Sequence, residues 1–322
     1  MMMVNKIKNK ILSGEKITYG EALSLADAPI NQLISAADEI RKHFCGNIFD
    51  ICSIINAKSG RCSEDCKFCA QSAHYKTNIN EYPILDKDEI IKNALYMAEK
   101  GVLRFSIVTS GKALTDKDVN ILAETIKEIK SKSNISICAS LGLLSDENFK
   151  KLKDAGLERV HNNLETSKNF FPKVCSTHTF DDKVNALKAA LKSNLSVCSG
   201  GIIGLGESMQ DRIDLAFSLE KLNIKSVPLN ILSPVKGTPF ENNKPLSEEE
   251  ILKTTAIFRF IIPDAFIRLA GGRSILKDKG KKAFLSGANA AITGDMLTTC
   301  GISVDTDMQI IKETGYIVEL IN

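Results

Sequence analysis

Eight short runs rich in β-branched residues recur along the 322-residue chain, each followed by a stretch with helical spacing. No other feature constrains the fold as much, because strands separated by helices pair in parallel. The runs begin near Phe49, Val102, Ile135, Leu157, Leu195, Ser226, Ala265 and Ala288. From Val102 onward they start 33, 22, 38, 31, 39 and 23 residues apart, which leaves room for a helix and its loops each time. Eight such units predict an α/β fold of the TIM-type (β/α)8 barrel class. A doubly wound sheet ranks second, since no Gly-x-Gly-x-x-Gly directly follows the first run.

Helix ends agree with this rhythm. Asp86 to Lys100 repeats Ile90, Ile91, Ala94, Leu95 and Ala98 on one face, with Gly101 at its end. Thr115 and Ser145 stand as N-caps, and Gly156 stops the helix that Ser145 begins. Ser247 with Glu250 forms a capping box. Residues 1–40 read as N-terminal helices outside a barrel spanning 41–300, with a helix or tail over 301–322, all within a single domain.

Hydrophobic residues make up 43% and charged residues 25%, ordinary globular usage. The formal charge of +3 comes without a basic block, so a nucleic-acid partner is not expected. No apolar run approaches the roughly 18 residues of a membrane span, and the start mixes Lys with isolated Ile and Leu. Neither a membrane nor secretion is expected, and the predicted location is cytoplasmic. Nine cysteines, an odd number in a chain too long to need disulfide staples, are then either buried small hydrophobes or ligands.

Three of them lie within eight residues: Cys62-Ser63-Glu64-Asp65-Cys66-Lys67-Phe68-Cys69, a C-x3-C-x2-C arrangement in a polar loop after the first strand. Thiolates suit soft metals and iron–sulfur clusters. A zinc knuckle with His74 as fourth ligand is the competing reading. Three cysteines on a four-iron cluster leave one iron open, as a catalytic site requires.

At this loop the chain resembles the radical S-adenosylmethionine (SAM) superfamily, whose signature is Cys-x3-Cys-x-aromatic-Cys, with Phe68 in the aromatic place. The resemblance implies a [4Fe-4S] cluster on Cys62, Cys66 and Cys69, SAM on the open iron, and a 5'-deoxyadenosyl radical in place of any side-chain acid, base or nucleophile. The segment from Gly200 through Ile202 and Gly204 to Glu207 resembles the superfamily element that packs near the adenine. The motifs RVHNNLETS, SVPLNILSPVKGTPFE, RLAGGR and GANAAITGDMLTT, within about residues 40 to 300, resemble the biotin synthase family of that superfamily. That implies sulfur insertion into dethiobiotin, a reducing flavodoxin- or ferredoxin-type donor, a homodimer, and an auxiliary cluster, usually [2Fe-2S], that supplies the sulfur.

Carried over by motif, Cys138, Cys198 and Arg268 match three of the four auxiliary ligands. Ser106, in Arg104-Phe105-Ser106, stands where the family has a cysteine. A hydroxyl is a harder, poorer iron ligand than a thiolate. Cys175 is the expected replacement, or the cluster is of another type. Asn163 and Asn230 match asparagines that contact the ureido ring, whose donors and acceptors an amide can meet. Glu165 stands for an acidic residue on the SAM ribose. Lys183 replaces an arginine near the SAM carboxylate. Cys45, Cys52 and Cys300 match no ligand position and read as packing. The missing ligand keeps open a related radical SAM enzyme with rearrangement or cofactor-assembly chemistry, and a non-enzymatic iron–sulfur or zinc-binding protein is a separate alternative.

Overall fold

Nine parallel strands curl around one axis in the structure, a computed structural model that describes residues 2–320. Met1, Ile321 and Asn322, at the ends of the expected terminal segments, lie outside the described residues. The strands are β1 (Ile48–Lys58), β2 (Arg104–Thr109), β3 (Ser136–Ser140), β4 (Arg159–His161), β5 (Ser196–Cys198), β6 (Gly201–Ile203), β7 (Ser226–Ile231), β8 (Phe266–Leu269) and β9 (Ala290–Thr293). Their order is β5-β4-β3-β2-β1-β9-β8-β7-β6. The two ends of that order, β5 and β6, are joined by Ser199 and Gly200 alone. Across this join the Asn162 N–H donates to the Cys198 carbonyl and the Ser199 N–H to the Ser226 carbonyl. One segment thus bonds to both neighbours, and the eight predicted runs form the predicted barrel.

Helices fill the intervals as their caps require. Asp86, Thr115, Ser145 and Ser247 each accept a backbone N–H at the start of α4 (Lys87–Glu99), α5 (Asp116–Lys132), α6 (Asp146–Asp154) and α10 (Glu248–Ile261), and Ser247 with Glu250 closes the capping box. Gly101 and Gly156 take positive φ one residue beyond the C-caps Lys100 and Ala155. Outside the ring, α1 (Met2–Leu12), α2 (Tyr19–Ser24) and α3 (Ile30–Cys45) pack with it into one apolar cluster through Val4, Ile7, Leu33 and Ile40. Beyond 300 the chain forms α12 (Val304–Glu313) and a strand not foreseen, β10 (Ile317–Val318), which pairs with the start of β1. No helix among the described residues is long and apolar enough to cross a membrane.

Candidate iron–sulfur site

The cysteine loop leaves the C-terminal end of β1, where sites in this architecture form. Backbone bonds shape it: the Cys62 N–H donates to Gln71, Ala73 to Cys62, and Cys69 to Cys66. The segment after the short helix α7 (Phe171–Val174) clamps it from outside. One Asp65 carboxylate oxygen accepts from the backbone N–H groups of Ser176 (2.8 Å) and Thr177 (3.1 Å) and from the Cys175 thiol (3.1 Å), while the other takes the Ser176 hydroxyl. His178 Nδ1 lies 2.6 Å from Glu64 and 3.2 Å from Cys175 Sγ. Burial opposes the charge on His178, but Cys175 and Glu64 outweigh it and raise its pKa.

Cys175 therefore lies at the mouth beside the SAM-type loop, its Sγ 3.8 Å from that of Cys66. The Cys66 S–H donates to it and lowers the Cys175 pKa against the opposing pull of the Asp65 carboxylate, while Cys66 is pushed up. Burial pushes Cys69 up to about 11.

The three loop sulfurs are not grouped within 4.8 Å, unlike two other trios of ligand atoms among the described residues. One tetrahedral zinc with 2.3 Å bonds would hold its sulfurs about 3.8 Å apart, so the three loop sulfurs are not gathered for a single zinc ion. His74, which a zinc knuckle needs, has Nε2 2.9 Å from the Ser63 carbonyl oxygen.

Phe68 and Ile202 meet in one apolar cluster with Phe170, Val174, Leu205 and Leu232. Two glycines of the 200–207 segment stand where the backbone of neighbouring segments comes close. A Cβ on Gly200 would sit 1.9 Å from the Pro228 carbonyl oxygen, and one on Gly201 2.4 Å from that of Glu165. Glycine here lets strands close together. Glu207 braces the turn, accepting the Gly204 N–H at 2.9 Å and pairing with Arg212 at 2.6 Å.

Glu165 has positive φ, and burial raises its pKa; Lys183 stands 3.9 Å away and donates to Asn162 at 3.1 Å. Asn163 Oδ1 accepts the Gly200 N–H, and Asn230 Nδ2 donates to the Gly201 carbonyl, so both amides flank one strand segment.

Deeper in the barrel lies an ion group that sequence reading missed. Asp50 on β1 is fully buried and bridges Arg104 (3.0 Å), Arg268 (3.1 Å) and Arg159 (3.4 Å), from β2, β8 and β4. The signal was available: four β-branched runs carry Asp50, Arg104, Arg159 and Arg268, charges that burial would make costly unless paired. Burial would raise the Asp50 pKa, yet Arg268, Arg104 and Arg159 together lower it. Asp50, Cys52, Cys198 and Cys138 outweigh burial and raise that of Arg268.

Above this floor, ligand atoms of Cys52, Cys138 and His161 lie within 4.8 Å of one another. Cys52, assigned to packing by sequence, thus stands among candidate ligands. Cys198 accepts from the Ser226 hydroxyl at 3.1 Å, and the charge of Arg268 opposes the upward pull of burial on its pKa. The Ser106 hydroxyl is buried and has no hydrogen-bond partner, and neither has Arg268 Nε. Soft sulfur donors beside unmet N–H and O–H donors suit a sulfide-bearing cluster.

Residues 57–219 match the model of the Radical SAM superfamily, and residues 228–317 that of the Biotin and Thiamin Synthesis associated domain. The chain is 58% identical over 317 residues to a protein named biotin synthase from Brachyspira hyodysenteriae, covering 98% of this chain and 95% of that one. It is 55% identical to one of that name from Clostridium botulinum (strain Hall), covering 98% and 99%. Among solved structures, methylornithine synthase superposes with a TM-score of 0.85 at 20% identity, over 98% of this chain and 97% of that one, a likeness of fold alone.

Proposed function

Because the chain belongs to the biotin synthase family of radical SAM enzymes, we propose a division of its residues between the two halves of that family's reaction, sulfur insertion into dethiobiotin to form biotin. Cys62, Cys66 and Cys69 hold three irons of the [4Fe-4S] cluster. Phe68 and Ile202 supply an apolar wall beside it, while Glu165 and Lys183 meet the ribose and carboxylate of SAM. Asn163 and Asn230 orient the ureido ring. Cys138, Cys198 and Arg268 hold the auxiliary cluster, from which the sulfur comes. When bound, the loop cluster and SAM together supply a carbon radical that takes hydrogen atoms from unactivated carbons, so no side chain here has to act as a general base.

One observation carries this reading: the barrel has two separate thiol groupings, one at its mouth around Cys66 and one deep within around Cys138. The chain's own work is to keep them apart, to exclude water with the Phe68 and Ile202 cluster, and to fix the substrate between them through amides anchored on residues 200 and 201. A reducing flavodoxin- or ferredoxin-type partner, a homodimer and a cytoplasmic location complete the reading. The family resemblance supports the first two, and the abundance of free thiols supports the third.

The test is anaerobic reconstitution with iron and sulfide, followed by an assay for biotin from dethiobiotin and SAM. Biotin is the expected product. Cleavage of SAM without biotin would overturn the assignment in favour of rearrangement or cofactor-assembly chemistry on the same barrel.

A further inference from the structure

We propose that Cys52 is a ligand of the auxiliary iron–sulfur cluster, in the place that Ser106 leaves without a thiolate. The existence of a second cluster rests on the family reading above; the choice of residue rests on geometry.

β1 and β3 are not neighbours in the sheet, nor are β1 and β4. Side chains from these three strands meet only across the barrel interior, so the convergence of Cys52, Cys138 and His161 within 4.8 Å fixes all three as inward-facing. In the register of β1 with β2, Cys52 pairs with Arg104 and Ile54 with Ser106, while Ser106 pairs with Cys138 across β3. Residues two apart on a strand share a face. Cys52 and Ser106 are therefore diagonal neighbours on one inner surface, and this chain carries the thiol on one of the two places and the hydroxyl on the other. The thiolate has been moved by one diagonal step rather than lost.

The surroundings fit a ligand better than a packing residue. Cys52 and Cys138 are both fully buried, yet what Cys52 faces is a thiol and an imidazole, with the Arg268 guanidinium close enough to feel its charge. Its other polar contact is the carbonyl of the adjacent Ser53 at 3.4 Å. The Ser106 and Ser199 hydroxyls and Arg268 Nε are buried on strands β2, β5–β6 and β8 without hydrogen-bond partners. Such unmet groups are rare unless something else occupies their space. Cys175, the replacement expected from sequence, is instead committed to Asp65 and Cys66 at the mouth.

The experiment compares anaerobically reconstituted wild type with Cys52→Ser and with the double variant Cys52→Ser/Ser106→Cys, by iron and sulfide content per chain and by Mössbauer spectra. In Cys52→Ser, iron should fall to about four per chain, the content of the loop cluster alone. The auxiliary signal should be lost and the [4Fe-4S] signal kept. The double variant should regain the second signal, because it returns a thiolate to the diagonal place. Unchanged iron, sulfide and spectra in Cys52→Ser would overturn the proposal. Should Cys52→Ser lose both clusters through misfolding, the double variant decides: recovery supports the assignment and continued loss rejects it. Wild type with iron for one cluster only would overturn the auxiliary cluster and this ligand together. Two clusters without biotin formation would count against the reaction alone.

Discussion

Both ends of the Asn230 amide are partly committed before any substrate arrives: Nδ2 donates to the Gly201 carbonyl at 3.2 Å, and Oδ1 accepts the Gly271 N–H at 3.0 Å. The second N–H and the second lone pair are held in a fixed orientation, which suits the ureido group that the proposed function assigns to Asn230. Asn230→Ala should therefore raise KM for dethiobiotin about tenfold, the worth of about 1.4 kcal/mol from one lost hydrogen bond, and lower kcat less. Steady-state kinetics with varied dethiobiotin checks this; a fall confined to kcat would remove Asn230 from the binding site. The residue types at such positions were legible in sequence because an amide or a thiol has few uses. Their neighbours were harder to read. Cys52 has no motif around it, and its surroundings exist only once β1, β3 and β4 are curled together. Gly200 and Gly201 make room for the carbonyls of Pro228 and Glu165, partners distant in the chain that no local pattern shows.

At the scale of elements, the strands and helices were legible because each signal is local: a β-branched run, a cap three residues before an acid, a glycine where φ turns positive. β10 was missed because two paired residues are too short to show a period. The segment 175–178 was missed as a support because its partners lie more than a hundred positions away in the loop. Asp65 there gathers the N–H groups of Ser176 and Thr177, and the Ser176 hydroxyl and Cys175 thiol beside them, onto one carboxylate. It is a positioning residue for Cys66, next to it in the chain. Asp65→Ala should loosen the loop without removing a ligand, so that a chelator bleaches the [4Fe-4S] absorbance on the order of tenfold faster, the effect of about one charge-assisted hydrogen bond. The measurement is the decay of the visible absorbance under anaerobic EDTA, with iron content at zero time equal to that of wild type.

At the scale of the whole molecule, β1 runs through every layer of the site: Asp50 at the floor, Cys52 above it, and the cysteine loop beyond its end. Three guanidiniums on one carboxylate leave the floor with more positive than negative charge, and the layer above it is made of thiols that become anionic when they bind metal. The same group closes the barrel, since Arg104, Arg159 and Arg268 come from β2, β4 and β8 and meet on a single side chain of β1. Removing that carboxylate strands three buried cations, which costs about 3–5 kcal/mol when a buried pair is broken. Asp50→Asn should lower the unfolding free energy by that amount near neutral pH. The effect carries a definite pH signature. The Asp50 pKa is depressed in the folded chain, so its stabilisation is fully present above the unfolded value of about 3.9 and is lost as the pH falls through the lower folded value. The gap between wild type and Asp50→Asn should therefore be constant from about pH 7 to pH 5 and narrow below about pH 4. Urea titrations of the cluster-free chains across that range measure it, since acid strips iron and sulfide from both proteins alike. A gap that widened in acid would mean that folding raises the Asp50 pKa, with burial outweighing the three arginines.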